Sequence, residues 1–228
     1  MQRAAEDLSE PAMGRPSRPA APLTFDEAVV GAAMTAWLPR LAPLVEAMAE
    51  RIDARTIELT AAAFIVARSF PRRAAGDRAS DFLPVVAPLE RAVDGLSDEN
   101  LIERVDALAD AISAEPGLVR RRGDQPVRPI SAASKLVWTA RPSTGIIFDA
   151  RARNCLIAAG LLRRSGGYGA YVEAVRGEMP RHVDVIARLV PHAGANLADA
   201  PWLSGKIFDF CLYAHGGLPA ARQAHPTG

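Results

Sequence analysis

The chain has 228 residues, 49% of them hydrophobic and 23% charged, with 27 basic against 26 acidic side chains and a formal net charge of +1. That length suits one large domain or two interleaved lobes around a buried core. The near-zero charge excludes a whole-molecule electrostatic footprint for nucleic acid, so a polyanion site has to be a local basic patch.

Met1 to Pro22 are rich in Ala, Pro and Arg without periodicity and read as a disordered tail. Acidic Glu6, Asp7 and Glu10 speak against a transit peptide, and no apolar stretch there suits a signal peptide. No run is expected to reach the roughly 20 apolar residues of a membrane helix. Residues 23–228 read as a single all-α domain of about nine or ten short helices, because alternating β-branched runs are scarce and helical periodicity is everywhere.

Thr24-Phe25-Asp26-Glu27 has the form of a capping box and predicts a helix from 25 to about Trp37. Pro39 and Pro43 are expected to break it before a second helix ends near Ile52. Glu58 to Arg68 reads as an apolar helix ended by Pro71, and Asp81 to Val93 as a proline-interrupted helix stopped by Gly95. Ser97-Asp98-Glu99 opens a helix to Ser113, with Leu101, Val105, Leu108 and Ile112 on one stripe. Glu115 to Arg122 predicts a short basic turn or helix. Two helices follow, over about 131–141 and 150–160, the second stopped by Gly160, and three more lie near 169–177, 180–190 and 204–215, the last closed by Gly216-Gly217.

Residues 129 to 156 carry the most chemistry. Ala132, Ala133, Leu136, Val137 and Ala140 form one face of the first helix there, the expected core face. Ser131, Lys135 and Trp138 fall at i, i+4 and i+7 on another. Lys135 is one of only two lysines in an arginine-rich chain, the other being Lys206, and an amine can do what a guanidinium cannot. Trp138 beside it suits either a stacking surface for a flat ligand or ordinary packing with the lysine stem laid over it. Asp149 follows Ile146-Ile147-Phe148 at a helix start, where aspartate is a good N-cap worth about 1 kcal/mol. The apolar triplet also implies partial desolvation. Arg151 and Arg153 sit in the first turn, against the helix dipole, which points to an anion such as phosphate.

A helix with small residues, a short turn, an aliphatic triplet and an aspartate opening the next helix resembles the helix-hairpin-helix DNA glycosylase superfamily, most closely its 8-oxoguanine glycosylase-like members. The resemblance covers about an eighth of the chain. It implies an enzyme that excises a modified or damaged base from DNA, with Asp149 promoting base loss and Lys135 as nucleophile. Aligned on Asp149, the family's lysine falls at about Ser131, one helical turn from Lys135. The family's Gly-x-Gly hairpin is replaced by Gln125-Pro126-Val127-Arg128-Pro129. These departures keep a second reading open, a non-catalytic helical module that binds nucleic acid or protein. On the glycosylase reading the expected partner is DNA, held by Ser131, Trp138, Arg151, Arg153, Arg163 and Arg164, with Tyr168 and Tyr171 as further rings for an everted base.

Cys155 and Cys211 lie in apolar helical stretches and fit buried reduced thiols of a cytoplasmic protein. The four histidines lack metal-ligand spacing, and no dinucleotide or Walker sequence occurs, so neither a metal nor a cofactor is expected. Lys206 and Asp209 are expected to pair at i, i+3 on the closing helix.

Overall fold

The computed structural model describes residues 22–66, 70, 77–122 and 125–216. The tail predicted over residues 1–22 lies outside these except for Pro22, as do Arg68, Pro71, Gly217 and His225.

The first helix, α1, runs Glu27–Glu50 without a break. Its N-cap is Asp26, not Thr24: the carboxylate accepts from the backbone N–H groups of Ala28 and Val29. Pro39 and Pro43 stand inside the helix, contrary to the expected break. Both are exposed and four residues apart, so the carbonyls they leave unpaired, on Thr35 and Pro39, lie on the water side. On the opposite face Val30, Met34, Leu38, Leu41, Val45 and Met48 are all buried. Six such side chains at about 1.5–3 kcal/mol each outweigh two prolines at about 3 kcal/mol each. Uninterrupted, α1 is long and apolar enough by length and composition to cross a membrane, which corrects the expectation of no such run. Its buried stripe belongs here to the core.

Helix α2, Ala54–Ala63, starts from a capping box of Asp53 and Thr56, four residues before the predicted start. It ends at Phe64, after which Ile65 takes a positive φ of 57°, a strained conformation for a β-branched residue. A 3-10 turn, Arg78–Phe82, leads into α3, Leu83–Val93. Helix α4, Leu101–Ala114, follows a turn in which the Asn100 side chain accepts from Ser97 N. The segment expected as a short basic turn or helix is a turn over residues 115–119, followed by a minimal antiparallel hairpin, β1 (Arg121–Arg122) and β2 (Gln125–Pro126). Arg128 ties its exit to Asp106 and Asp110 of α4.

Helix α5, Ile130–Ala140, is the hub of the molecule, packed against α1, α2, α3 and α4. Every residue from Ala132 to Ala140 is buried. The two-faced helix expected from the sequence is therefore enclosed all round, and its polar groups are bonded internally. Ser134 Oγ donates to the Ser131 carbonyl, and Thr139 Oγ1 to that of Lys135.

The rest of the chain is α6 (Ala150–Ala158), α7 (Tyr168–Glu178), α8 (Val183–Leu189) and α9 (Leu203–Gly216), with 3-10 turns before and after α8. Gly160, with φ of 76°, ends the α6 segment as expected. The closest packing is between α6 and α9: a Cβ placed on Gly216 would lie 1.7 Å from the Arg151 carbonyl oxygen. His215 joins the two ends of the fold. Its Nε2 accepts from Asp26 N at 2.8 Å, which requires the proton on Nδ1, 2.9 Å from the Cys211 carbonyl.

Two outcomes test this packing. Gly216→Ala should lower stability by about 1–3 kcal/mol by overpacking. Gly177→Ala, whose Cβ meets open space within α7, should raise it by up to about 1 kcal/mol. Urea midpoints measure both. Burial raises the Cys155 thiol from its ordinary 9.0 to about 11, and the Cys211 thiol to about 12. The stability these thiols contribute is complete below pH 9 and is lost as pH climbs from 9 towards 11–12, because only the unfolded thiols ionise in that window. A thiol-specific chromophore at pH 8 should label neither cysteine until the protein is unfolded by denaturant.

Candidate active site at the junction of α5 and α6

The turn between α5 and α6 is built to deliver Asp149 to one place. Gly145 N closes it on the Arg141 carbonyl at 2.8 Å. A Cβ at Gly145 would come within 2.6 Å of Trp138 Cα, so only glycine lets the turn lie this close to α5. Phe148 N then donates to Ser134 Oγ at 2.9 Å, and Tyr168 Oη donates to the Ile146 carbonyl at 2.8 Å. Phe148 packs edge-on against Tyr168 and Tyr171. The apolar triplet is thus a strap, bonded on one side to α5 and on the other to α7.

At its end Asp149 caps α6, its Oδ1 accepting from Arg151 N at 2.8 Å. Its Oδ2 meets Lys135 Nζ at 3.1 Å, with 7% of the lysine side chain and 20% of the aspartate side chain exposed. Lys135 Nζ also donates to Ser131 Oγ at 3.2 Å. The structure therefore brings together Ser131, Lys135 and Asp149, the position that the family alignment picks and the amine one turn further on. A buried ammonium held by one carboxylate has a proton acceptor in place, and the same carboxylate can stabilise positive charge that develops beside it.

Trp138 is not an exposed platform. It is 3% exposed, edge-on to Phe64 and Trp202, and this replaces the picture of an open stripe with Lys135. Trp138 is packed in the interior, and the lysine over its ring is Lys206 rather than Lys135. Tyr168 and Tyr171 are likewise buried, and burial holds both hydroxyls well above the usual tyrosine range.

The arginines behave differently. Arg151 is exposed, with its guanidinium 4.9 Å from the Tyr213 ring. Arg153 donates to the Arg164 carbonyl, which draws the exposed Arg163–Arg164 loop beside the start of α6. Arg151 thus reaches towards α9 and Arg153 towards the 163–164 loop, as expected for residues two apart on a helix. Arg120 is exposed too, while the side chains of Arg121 and Arg122 lie outside the described residues.

Two features were missed in the sequence. His182 has no partner at Asp184 but a buried one at Glu178, Nε2 to Oε1 3.0 Å, one helical turn earlier. Lys206 is as buried as Lys135. It does pair with Asp209, at 2.5 Å, but it also points into an aromatic cluster, 4.9 Å from the Trp138 ring and 4.7 Å from that of Phe210. The two lysines converge on one side chain, with their ammonium nitrogens 5.8 Å and 5.5 Å from the Phe64 ring. The scarcity of lysine was the signal that could have found this. Among the described residues no group of three metal-ligating side chains is gathered.

Asp149→Asn should keep the cap yet destabilise the protein by about 1–3 kcal/mol, because it leaves the Lys135 ammonium without its anion. Adding Lys135→Met should recover most of that loss, and thermal melts of the two single variants and the double variant read the coupling directly. Additive losses would mean that the two groups do not interact. Compared with known proteins, the chain matches no family model, and no curated protein or solved structure is significantly similar to it.

Proposed function

We propose that the protein is a DNA glycosylase-like enzyme that cleaves the N-glycosidic bond of a modified or damaged base. The observation that carries this reading is the Lys135–Asp149 pair, a buried amine 3.1 Å from a carboxylate at a helix start. In the reaction Asp149 Oδ2 takes the ammonium proton and the freed amine of Lys135 attacks the sugar C1′. The bond from C1′ to the base nitrogen breaks, and its electron pair leaves with the base, which takes the proton held by Asp149. Asp149 then moves a proton from the Lys135 nitrogen to O4′ as the C1′–O4′ bond opens, which leaves a protonated Schiff base between Lys135 and C1′. If water attacks instead, the same carboxylate stabilises the positive sugar and accepts the water proton. Arg151, Arg153, Arg163 and Arg164 hold the phosphates on either side of the everted nucleotide. Trp138 takes no part in contacting DNA.

A second reading is favoured by one specific fact. Both carboxylate oxygens of Asp149 are already engaged, one by Lys135 and one by the Arg151 backbone N–H. A side chain so committed serves equally as the clasp of a helical module that binds nucleic acid through its arginines and performs no chemistry.

The two readings separate on a panel of duplexes, each with one modified base. The enzyme releases free base from at least one of them, Asp149→Asn slows release by about 10²–10³-fold, and borohydride traps a covalent adduct that Lys135→Ala abolishes. Duplex binding that weakens with salt and with Arg163→Ala/Arg164→Ala, with no base released from any duplex, establishes the module instead.

A further inference from the structure

The Lys135 amine is shut away in the fold. Only 7% of its side chain is exposed, so a ligand atom cannot come within bonding distance of Nζ unless part of the structure moves. Lys206 is as enclosed, at 4%. Both ammonium groups lie over one ring, that of Phe64, at 5.8 Å and 5.5 Å from its centre. Trp138 meets the same ring edge-on at 6.0 Å and is itself interior. Phe64 differs from all of these in being half-buried, so its ring extends from the two amines towards the surface.

The backbone that carries this ring stands at the end of an element. Phe64 is the C-cap of α2, its N–H donating to the Thr60 carbonyl at 3.0 Å, and the helix goes no further. Ile65 follows with φ of 57°, a conformation that a β-branched residue adopts only under strain. Its side chain is 59% exposed, so burial contributes little to holding it there. Backbone strain persists where neighbouring contacts over-determine it, and it gathers at clamps and switch regions. The contacts that hold Phe64 include Trp138 and the two ammonium groups.

We propose that Phe64 is a gate over the two lysines, closed in this structure, which opens by backbone rotation at Ile65 and uncovers Lys135 Nζ to a ligand. Opening releases the strain at Ile65 and gives up packing of the ring. Both amines keep their charge partners in the open state, since Asp149 and Asp209 hold them independently of Phe64. That the admitted ligand is an everted nucleotide rests on the base-excision reading; the gate itself does not.

Lys135 and Lys206 are the only lysines in the chain, so acylation by N-acetoxysuccinimide, read by peptide mass spectrometry, reports on these two positions alone among side-chain amines. In the native full chain Phe64→Ala should speed acylation of both by about tenfold or more, because truncating a packed phenylalanine weakens the closed state by at least that factor. Ile65→Gly holds the same φ without strain and should slow both by about threefold. Leu189→Ala, which empties a fully buried position on α8, should lower the melting temperature without this acceleration. Unaltered rates in folded Phe64→Ala, acceleration of Lys206 alone, or an equal acceleration in Leu189→Ala would each overturn the gate. Should Phe64→Ala not fold, an Ile65→Gly protein acylated as fast as the unaltered chain overturns it instead. No DNA enters this experiment, so gated acylation together with no base release from any duplex retains the gate and removes the glycosylase reading.

Discussion

An ammonium buried in the middle of a helical protein has to be neutralised where it stands, and the meeting of Lys135 with Asp149 is the constraint on which the centre of this structure depends. Lys135 sits on α5, a helix packed on every side, and only 7% of its side chain is exposed, so its charge is largely removed from bulk water. Removing one member of such a pair leaves the other as an uncompensated charge, which is far more costly than the pair itself is stabilising. The backbone between them reflects this. Gly145 lets the turn lie against α5, Ser134 Oγ takes the Phe148 N–H, and Tyr168 holds the Ile146 carbonyl, so that Asp149 arrives within hydrogen-bond reach with little freedom left. A carboxylate fixed that way is held in one orientation, so the same atoms suit both the chemistry proposed above and simple cohesion.

The second buried lysine extends the pattern. Lys135 and Lys206 stand 71 positions apart in the sequence, each with its own aspartate, and both turn their ammonium groups towards Phe64. The ring faces of Trp138 and Phe210 give the Lys206 charge a further weak partner in a region that water scarcely reaches. Arginine, with a larger planar head that needs several acceptors at once, fits such a position poorly. The rarity of lysine in this chain thus coincides with a structural requirement at both places where it occurs. Phe64 stands immediately before Ile65, whose positive φ marks the strained end of α2, so the backbone is held out of its preferred conformation next to the ring that the two lysines share.

The surface around the start of α6 is arranged by different physics. Arg151 and Arg153 oppose the helix dipole, yet each has a local partner, the Tyr213 ring for one and the Arg164 carbonyl for the other. The second of these contacts gathers the 163–164 loop beside the helix.

By itself the sequence determined the helical class, because 3.6-residue periodicity and scarce alternation leave no other way to bury the apolar residues. It also determined the helix start at Asp149, marked by a local side-chain bond, and the Lys206–Asp209 pair, whose spacing of three is a property of any helix. Tertiary structure decided whatever depends on distant partners. Pro39 and Pro43 do not break α1, because the core gains more from one continuous stripe than two solvent-side carbonyls cost. Trp138 and Lys135 occupy the stripe that local patterning assigned to the outside, yet both are buried, because a periodicity argument sees one partner face while α5 is packed from all sides. Whether Lys135 reached Asp149 rested on a fourteen-residue reach through a turn. Such distances are set by packing between segments remote in the chain, and local spacing carries no record of them.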